Sequence, residues 1–197
     1  MYRIDKDPCV NISGQKTDDE LIFAVAEGDI SSLGELYLRH GTAVLRFLYR
    51  TLEDNDTAKD ICHDVFLALP KSAGRYRSSG KARSWILGIA ANMARSTRRK
   101  RWLREKLLRV NATSVPKPRS LGPQEQDDST DAIAQALSRL PMDQRQILML
   151  QVEEGLSGYE IAEVMNIHHG AVRVRLHRAR AALRDAVLKS KTIEGET

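Results

Sequence analysis

Ser157-Gly-Tyr-Glu-Ile-Ala-Glu-Val-Met-Asn-Ile-His-His-Gly-Ala-Val-Arg-Val-Arg-Leu-His-Arg-Ala-Arg180 is the stretch on which the fold turns. Ser157 and Glu160 have capping-box spacing, in which the serine oxygen accepts from an N-terminal backbone N–H and the glutamate reaches back to the serine N–H. A short helix is therefore expected, with Ile161, Ala162 and Met165 inward and Asn166-Ile167 turning the chain. A second helix is expected from about His169, with Val172, Leu176, Ala179, Leu183 and Val187 as its inner stripe. Arg173, His177, Arg180 and Arg184 form the opposite stripe. Set in a major groove, such a helix brings its first turns to base edges and its later arginines to phosphate. One bidentate Arg–guanine contact contributes about 1–3 kcal/mol of discrimination. The candidate DNA-reading residues are His169, Arg173, Val174, Arg175, His177 and Arg178. A solvated basic face is the competing reading; the series of capped short helix, turn and longer basic helix favours DNA. His168 and His169 diverge on a helix and have no Cys, Asp or Glu at ligand spacing, so no metal is expected there.

Upstream of this stretch the period is helical throughout, and no strand or repeat is evident. Residues 1–16 read as a mobile tail. After the Gly28-Asp29 break, Leu33, Leu36, Tyr37, His40, Val44, Phe47 and Leu48 form one buried stripe. Asp56 is positioned to cap a helix with Ala58, Ile61, Cys62, Val65, Phe66 and Leu69 inward, closed by Pro70. Residues 71–81 are loop-like, and a long helix restarts near Ala82 with Trp85, Ile86, Ile89, Ala90 and Met93 inward. For Trp85, core packing is favoured over base stacking. Residues 110–130 lose the period and carry Pro116, Pro118, Gly122 and Pro123, so they read as a flexible linker. Ile133, Ala136, Leu137 and Leu140 then give a helix stopped by Pro141, and the apolar run Ile147 to Leu150 follows. The expected architecture is all-α: a helical domain over 17–109, the linker, a helix-turn-helix domain over 131–190 and a short tail at 191–197.

Charge is patterned along the 197 residues. Lys+Arg 31 against Asp+Glu 26 leaves +5, which mildly favours a polyanionic partner. Between Arg95 and Arg109 eight basic residues face the single acid Glu105, whereas acids gather at 53–64 and at Glu125, Asp127 and Asp128. The two cysteines, Cys9 and Cys62, form no Cys-x-x-Cys pair, and Cys62 falls on an inner stripe as a structural thiol. No signal-like stretch or membrane-length apolar run is present, so a cytoplasmic protein without direct membrane insertion is expected. An enzyme acting on nucleic acid is a poor reading, for there is no acidic triad, phosphate loop or zinc motif; no catalytic residue, metal or cofactor is expected.

Leu140-Pro141, Ser157-Gly-Tyr-Glu-Ile-Ala162 and Gly170 to Arg180 resemble region 4 of the extracytoplasmic-function (ECF) group of bacterial RNA polymerase sigma factors. Asp18-Asp-Glu-Leu21, Ala26-Glu-Gly-Asp29, Ala58 to Leu67 and Trp85-Ile-Leu-Gly-Ile-Ala-Ala-Asn92 are similar to region 2 of the same group. The resemblance covers residues 17–105 and 131–188. It implies a sigma-2 domain that binds core polymerase and melts the minus-10 element, and a sigma-4 domain that reads the minus-35 element. It further implies transcription initiation without catalysis by this chain, and a membrane-tethered or soluble anti-sigma partner.

Several residues fit those tasks on physical grounds. Asp60, His63, Asp64 and Leu67 share the outer face of their helix, and acids around an apolar spot suit a basic protein groove better than DNA. The resemblance assigns that face to core polymerase; without it, a solvated face stays open. Strand opening needs cations and base pockets. The loop supplies Arg75, Tyr76, Arg77 and Lys81, and Gly88, Asn92, Arg95 and Arg99 align on the next helix. Asn92 holds the family position associated with the flipped minus-10 base, and its amide serves as donor or acceptor. Many members carry a large apolar group where Lys81 to Arg83 stand, so the melting loop departs from the pattern here. The resemblance implies two boxes about 25 base pairs apart, which lie about 85 Å apart along the duplex, beyond the reach of one small globule.

Overall fold

The computed structural model describes residues 15–52, 54–78, 80–109 and 136–194, and among these every regular element is a helix. Caps set the boundaries. Thr17 and Glu20 close a capping box at the start of α1 (Asp18–Ala26), with Thr17 N–H donating to Glu20 Oε2 at 2.7 Å. Asp29 accepts from Ser31 and Ser32 N–H to open α2 (Ile30–Thr51). Asp54, not Asp56, caps α3 (Asn55–Ala73): its carboxylate accepts from the N–H of Asp56 and Thr57 and from the Thr57 hydroxyl, a set that Asp56, inside the first turn, cannot reach. Nor does Pro70 stop α3. The helix runs on to Ala73 because Leu69 and Ala73 are buried, and that burial outweighs the one backbone bond that proline removes.

α1, α2, α3 and the long α4 (Ala82–Arg109) pack around Leu36, Val44, Phe47, Leu48, Val65 and Ile86, each almost wholly buried. Burial of one such side chain contributes about 1.5–3 kcal/mol before chain entropy is charged against it. The stripe expected on α2 is present except at Tyr37, which lies half out of the core with its ring edge-on to Phe66 at 4.9 Å. Cys62 is buried and free, its thiol directed at the Gly41 carbonyl; burial pushes its pKa up, as expected of a structural cysteine.

A second helical group follows: a turn at 136–138, α5 (Met142–Val152), α6 (Gly158–Met165) and α7 (His169–Glu194). Pro141 separates the first two as expected and also supplies the carbonyl that accepts from Arg145 N–H, so it starts α5 as much as it stops what precedes. α5 is buried from Met142 through Leu150 except at Asp143 and Gln144, more than one apolar stripe requires. α6 lies against α4, and α5 against α2. This docking explains why α4 is buried on two sides: Ile86, Ala90 and Ala94 are in the core, and Leu87, Gly88 and Ala91 are covered as well. Trp85, Ile89 and Met93, expected inward, are half-buried against the core. The expected linker, most of the N-terminal tail including Cys9, and the acids at 125–128 lie outside the described residues. At the other end, helical backbone continues through the first part of the expected 191–197 tail to Glu194.

Candidate nucleic-acid interface

α6 and α7 form the expected helix-turn-helix. The Ser157 box caps α6; Glu160 Oε2 accepts from Ser157 N–H at 2.8 Å. That bonding holds the Glu160 carboxyl below its ordinary pKa, with Lys81 adding a smaller pull. Asn166 ends α6 at φ 50°, a left-handed position that asparagine tolerates, with its N–H donating to the Ala162 and Glu163 carbonyls. His168 then acts as a cap: its Nδ1 accepts from Gly170 N–H at 3.1 Å. Val172, Leu176 and Ala179 fix the inner side of α7. Arg173, Val174, His177 and Arg178 are exposed together on the other side, and Arg175 is half-buried. His169 is also half-buried, stacked flat on Tyr159 with centroids 3.9 Å apart and planes 2° from parallel. Tyr159, 70% exposed, thus extends the surface at the start of α7. Only its place inside the capping box could have signalled this.

The residues expected to handle a melted strand divide between two settings. Arg75, Arg77 and Arg99 are exposed. Tyr76, Lys81 and Asn92 meet in one cleft, whose walls include Ser84, Trp85, Gly88, Glu163 and Val164. Tyr76 is not a free loop aromatic available to wrap a base. It is only 7% exposed, set between Phe23 and Trp85, with its hydroxyl donating to Asp19. Asp19 also accepts from Ser78 Oγ at 2.6 Å and from Gly80 N–H at 3.1 Å. One carboxylate therefore organises the loop, and the left-handed φ of 67° at Gly80 favours glycine there. Asp19 belongs to the Asp18-Asp-Glu-Leu21 motif, but nothing in the sequence tied it to Tyr76, 57 residues further on.

Arg95 connects this cleft to the second helical group. Its guanidinium donates to Asn92 Oδ1 and, at 2.9 Å, to the carbonyl of Met165 at the end of α6. Burial there pulls its pKa down, Asp143 opposes that shift, and Arg175 adds to it. Asp60, His63, Asp64 and Leu67 are all exposed on α3, as expected. Tyr37 and Leu38 are exposed on α2; Tyr37, through its ring contact with Phe66, adjoins α3. Among the described residues there is no cluster of three metal-ligating side chains and no helix long and apolar enough to cross a membrane.

The comparisons with known proteins agree with this layout. Residues 36–104 match Sigma-70 region 2, and residues 130–183 match Sigma-70, region 4. RNA polymerase sigma factor CarQ of Myxococcus xanthus is 31% identical over 160 residues, covering 81% of this chain and 91% of CarQ. The chain belongs to the RNA polymerase sigma factors. Within that family it falls in the ECF group: ECF RNA polymerase sigma factor SigD of Mycobacterium bovis is 30% identical over 193 residues, covering 92% of this chain and 88% of SigD. Among solved structures, CnrH in complex with the cytosolic domain of CnrY superposes with a TM-score of 0.60 at 26% identity, over 89% of this chain and 99% of that one. This sigma factor directs core RNA polymerase to promoters and initiates transcription there.

Proposed function

We propose a division of labour among residues for this sigma factor, in domains bounded at 17–109 and 131–190. His169, Arg173, Val174, Arg175, His177 and Arg178 read the duplex minus-35 element. Arg75, Arg77, Lys81, Asn92, Arg95 and Arg99 hold the melted minus-10 strand, with Tyr76 as the inner wall of its base pocket. Asp60, His63, Asp64 and Leu67, joined by Tyr37 and Leu38, receive core polymerase. The chain carries no catalysis of its own, acts in the cytoplasm and is controlled by an anti-sigma partner. The protein-bound state in which CnrH was solved supports such control.

The observation that carries this reading is the exposed group Arg173, Val174, His177 and Arg178 on a helix whose other side is locked by Val172, Leu176 and Ala179. A rigid helix with guanidinium and imidazole groups outward meets base edges and phosphates in one geometry. Run-off transcription with bacterial core polymerase on a promoter library tests it: the expected result is product from a subset sharing two boxes. Promoter-independent output, or tight binding to a palindromic duplex without polymerase, overturns it.

A further inference from the structure

Tyr159, in the first turn of α6, and His169, the first residue of α7, stack face to face with centroids 3.9 Å apart. Gly158 makes room for the pair: a Cβ there would lie 3.2 Å from His169 Nε2 and press the imidazole off the phenol. Gly170 leaves the same kind of room for His168, whose Nδ1 caps the start of α7. Both histidines of the turn are thus seated against glycines. Tyr159 nonetheless remains 70% exposed, and among the described residues its hydroxyl has no hydrogen-bond partner in the protein. The two acids of α6 are engaged elsewhere: Glu160 is held by Ser157 and faces Lys81, and Glu163 lines the Asn92 cleft. On α7, Arg173 and His177 follow His169 at intervals of four and are exposed, so the stack stands at the head of that row.

We infer that the Tyr159–His169 stack is a clamp for one backbone phosphate of duplex DNA at the edge of the minus-35 element. The Tyr159 hydroxyl donates to a phosphate oxygen, and the imidazole holds the phenol in place from behind. The inference rests on α7 reading that element, and it gives His169 its part in the reading. A helix that enters the major groove by its first turns carries the preceding helix across the sugar–phosphate backbone, and Tyr159 stands at the start of that preceding helix. Tyrosine suits a phosphate at such a place: it donates without charge, has only two side-chain torsions to fix, and is already fixed by the stack. Phosphate contacts carry no letters of their own but set register, so the clamp decides which base edges Arg173 meets.

The test uses the full chain assembled with bacterial core polymerase and a promoter duplex drawn from the run-off library. Single methylphosphonates are placed in turn along the minus-35 element and its flanks, and affinity is read by competition in fluorescence anisotropy. In the parent, neutralising one edge phosphate is expected to cost about 10-fold, the lower end for a hydrogen bond to a charged acceptor. Tyr159→Phe keeps the ring and the stack. It is expected to lose about as much on unmodified DNA, evenly over promoter sequences, and to be indifferent to that one methylphosphonate. His169→Ala is expected to lose most of the same sensitivity, and His169→Phe, which restores a flat ring without nitrogen, to recover it. Retention of the parent's full phosphate pattern by Tyr159→Phe overturns the inference. Loss limited to particular promoter letters does so too, by making Tyr159 a base reader, and His169→Phe behaving as His169→Ala overturns the role of the stack. Run-off transcription separates the two readings: promoter-specific product from the parent with an unaltered phosphate pattern in Tyr159→Phe removes the clamp alone, and absence of such product removes the minus-35 reading beneath it.

Discussion

Val172 and Arg173 are neighbours in sequence with opposite fates: the first is sealed in the helix-turn-helix core and the second stands in solvent. Arg173 therefore has freedom to choose a base edge while its backbone is held still. Arg173→Ala is expected to relax sequence preference at one or two minus-35 positions by about 1–3 kcal/mol, read from promoter-library transcription. Uniform loss over all sequences would make it a phosphate contact instead. Asp19 works through other residues, gathering Tyr76, Ser78 and Gly80 around its carboxylate. Asp19→Ala is expected to loosen the 76–80 loop, seen as faster amide exchange, and to slow promoter opening while minus-35 duplex binding stays unchanged. Tyr76 itself shows how a single residue misleads. In sequence it lies among Arg, Ser and Gly and reads as part of a mobile loop, yet Phe23 and Trp85 supply an aromatic slot from two different helices.

Helix ends carry the next level of organisation. The Ser157 box fixes where α6 begins, and hence the angle at which α7 is presented. Ser157→Ala is expected to destabilise the second helical group by about 0.5–2 kcal/mol, measured by chemical denaturation. The capping carboxylates share a second consequence. Asp29, held by the Ser31 and Ser32 hydroxyls and the Ser32 amide, and Glu20 and Glu160, held by Thr17 and Ser157, all have pKa values below the ordinary range. A carboxylate with a lowered folded-state pKa contributes stability above its unfolded pKa and loses it as pH falls through the folded value. The contribution of these three carboxylates should therefore be complete above about pH 5 and fall progressively below about pH 4, followed by circular dichroism, while Glu153, raised by burial, acts in the opposite sense. Replacing Asp29 and Glu160 with their amides should flatten that fall. α3 makes a different point, since Pro70 is a reliable stop only where nothing beyond it needs burying.

Over the whole molecule, the two helical groups are held by charge at the edges and by close backbone contact in the middle. Arg50–Glu153, Arg83–Glu154 and Lys81–Glu160 are partly open to solvent and so sensitive to salt. Gly88 against Val164 and Gln146 against Ala91 are not. Raising sodium chloride from about 0.05 M to about 0.5 M shortens the Debye length from about 14 Å to about 4 Å. The radius of gyration from small-angle scattering should rise with that change but stop short of the fully separated value. The Glu153 carboxyl, pushed up in pKa by burial against the counter-pull of Arg50, marks where docking carries a desolvation cost. An interface with such a cost at its rim is suited to opening.

Sequence by itself determined the helices, the helix-turn-helix and the exposed cations of α7, because those depend on local periods, capping pairs and spacings of three or four residues. It also determined the acidic face of α3, since an outer stripe follows once the inner one is known. What only the tertiary structure decided lies between distant segments: Asp19 beneath the Tyr76 loop, Tyr159 on His169, and the burial of Gly88 and Arg95 under α6. α4 looked like a one-sided helix because its apolar period records one partner. Beside Leu87, its second side is met through a glycine, a carbonyl and an arginine, groups that leave almost no mark on a hydrophobic pattern.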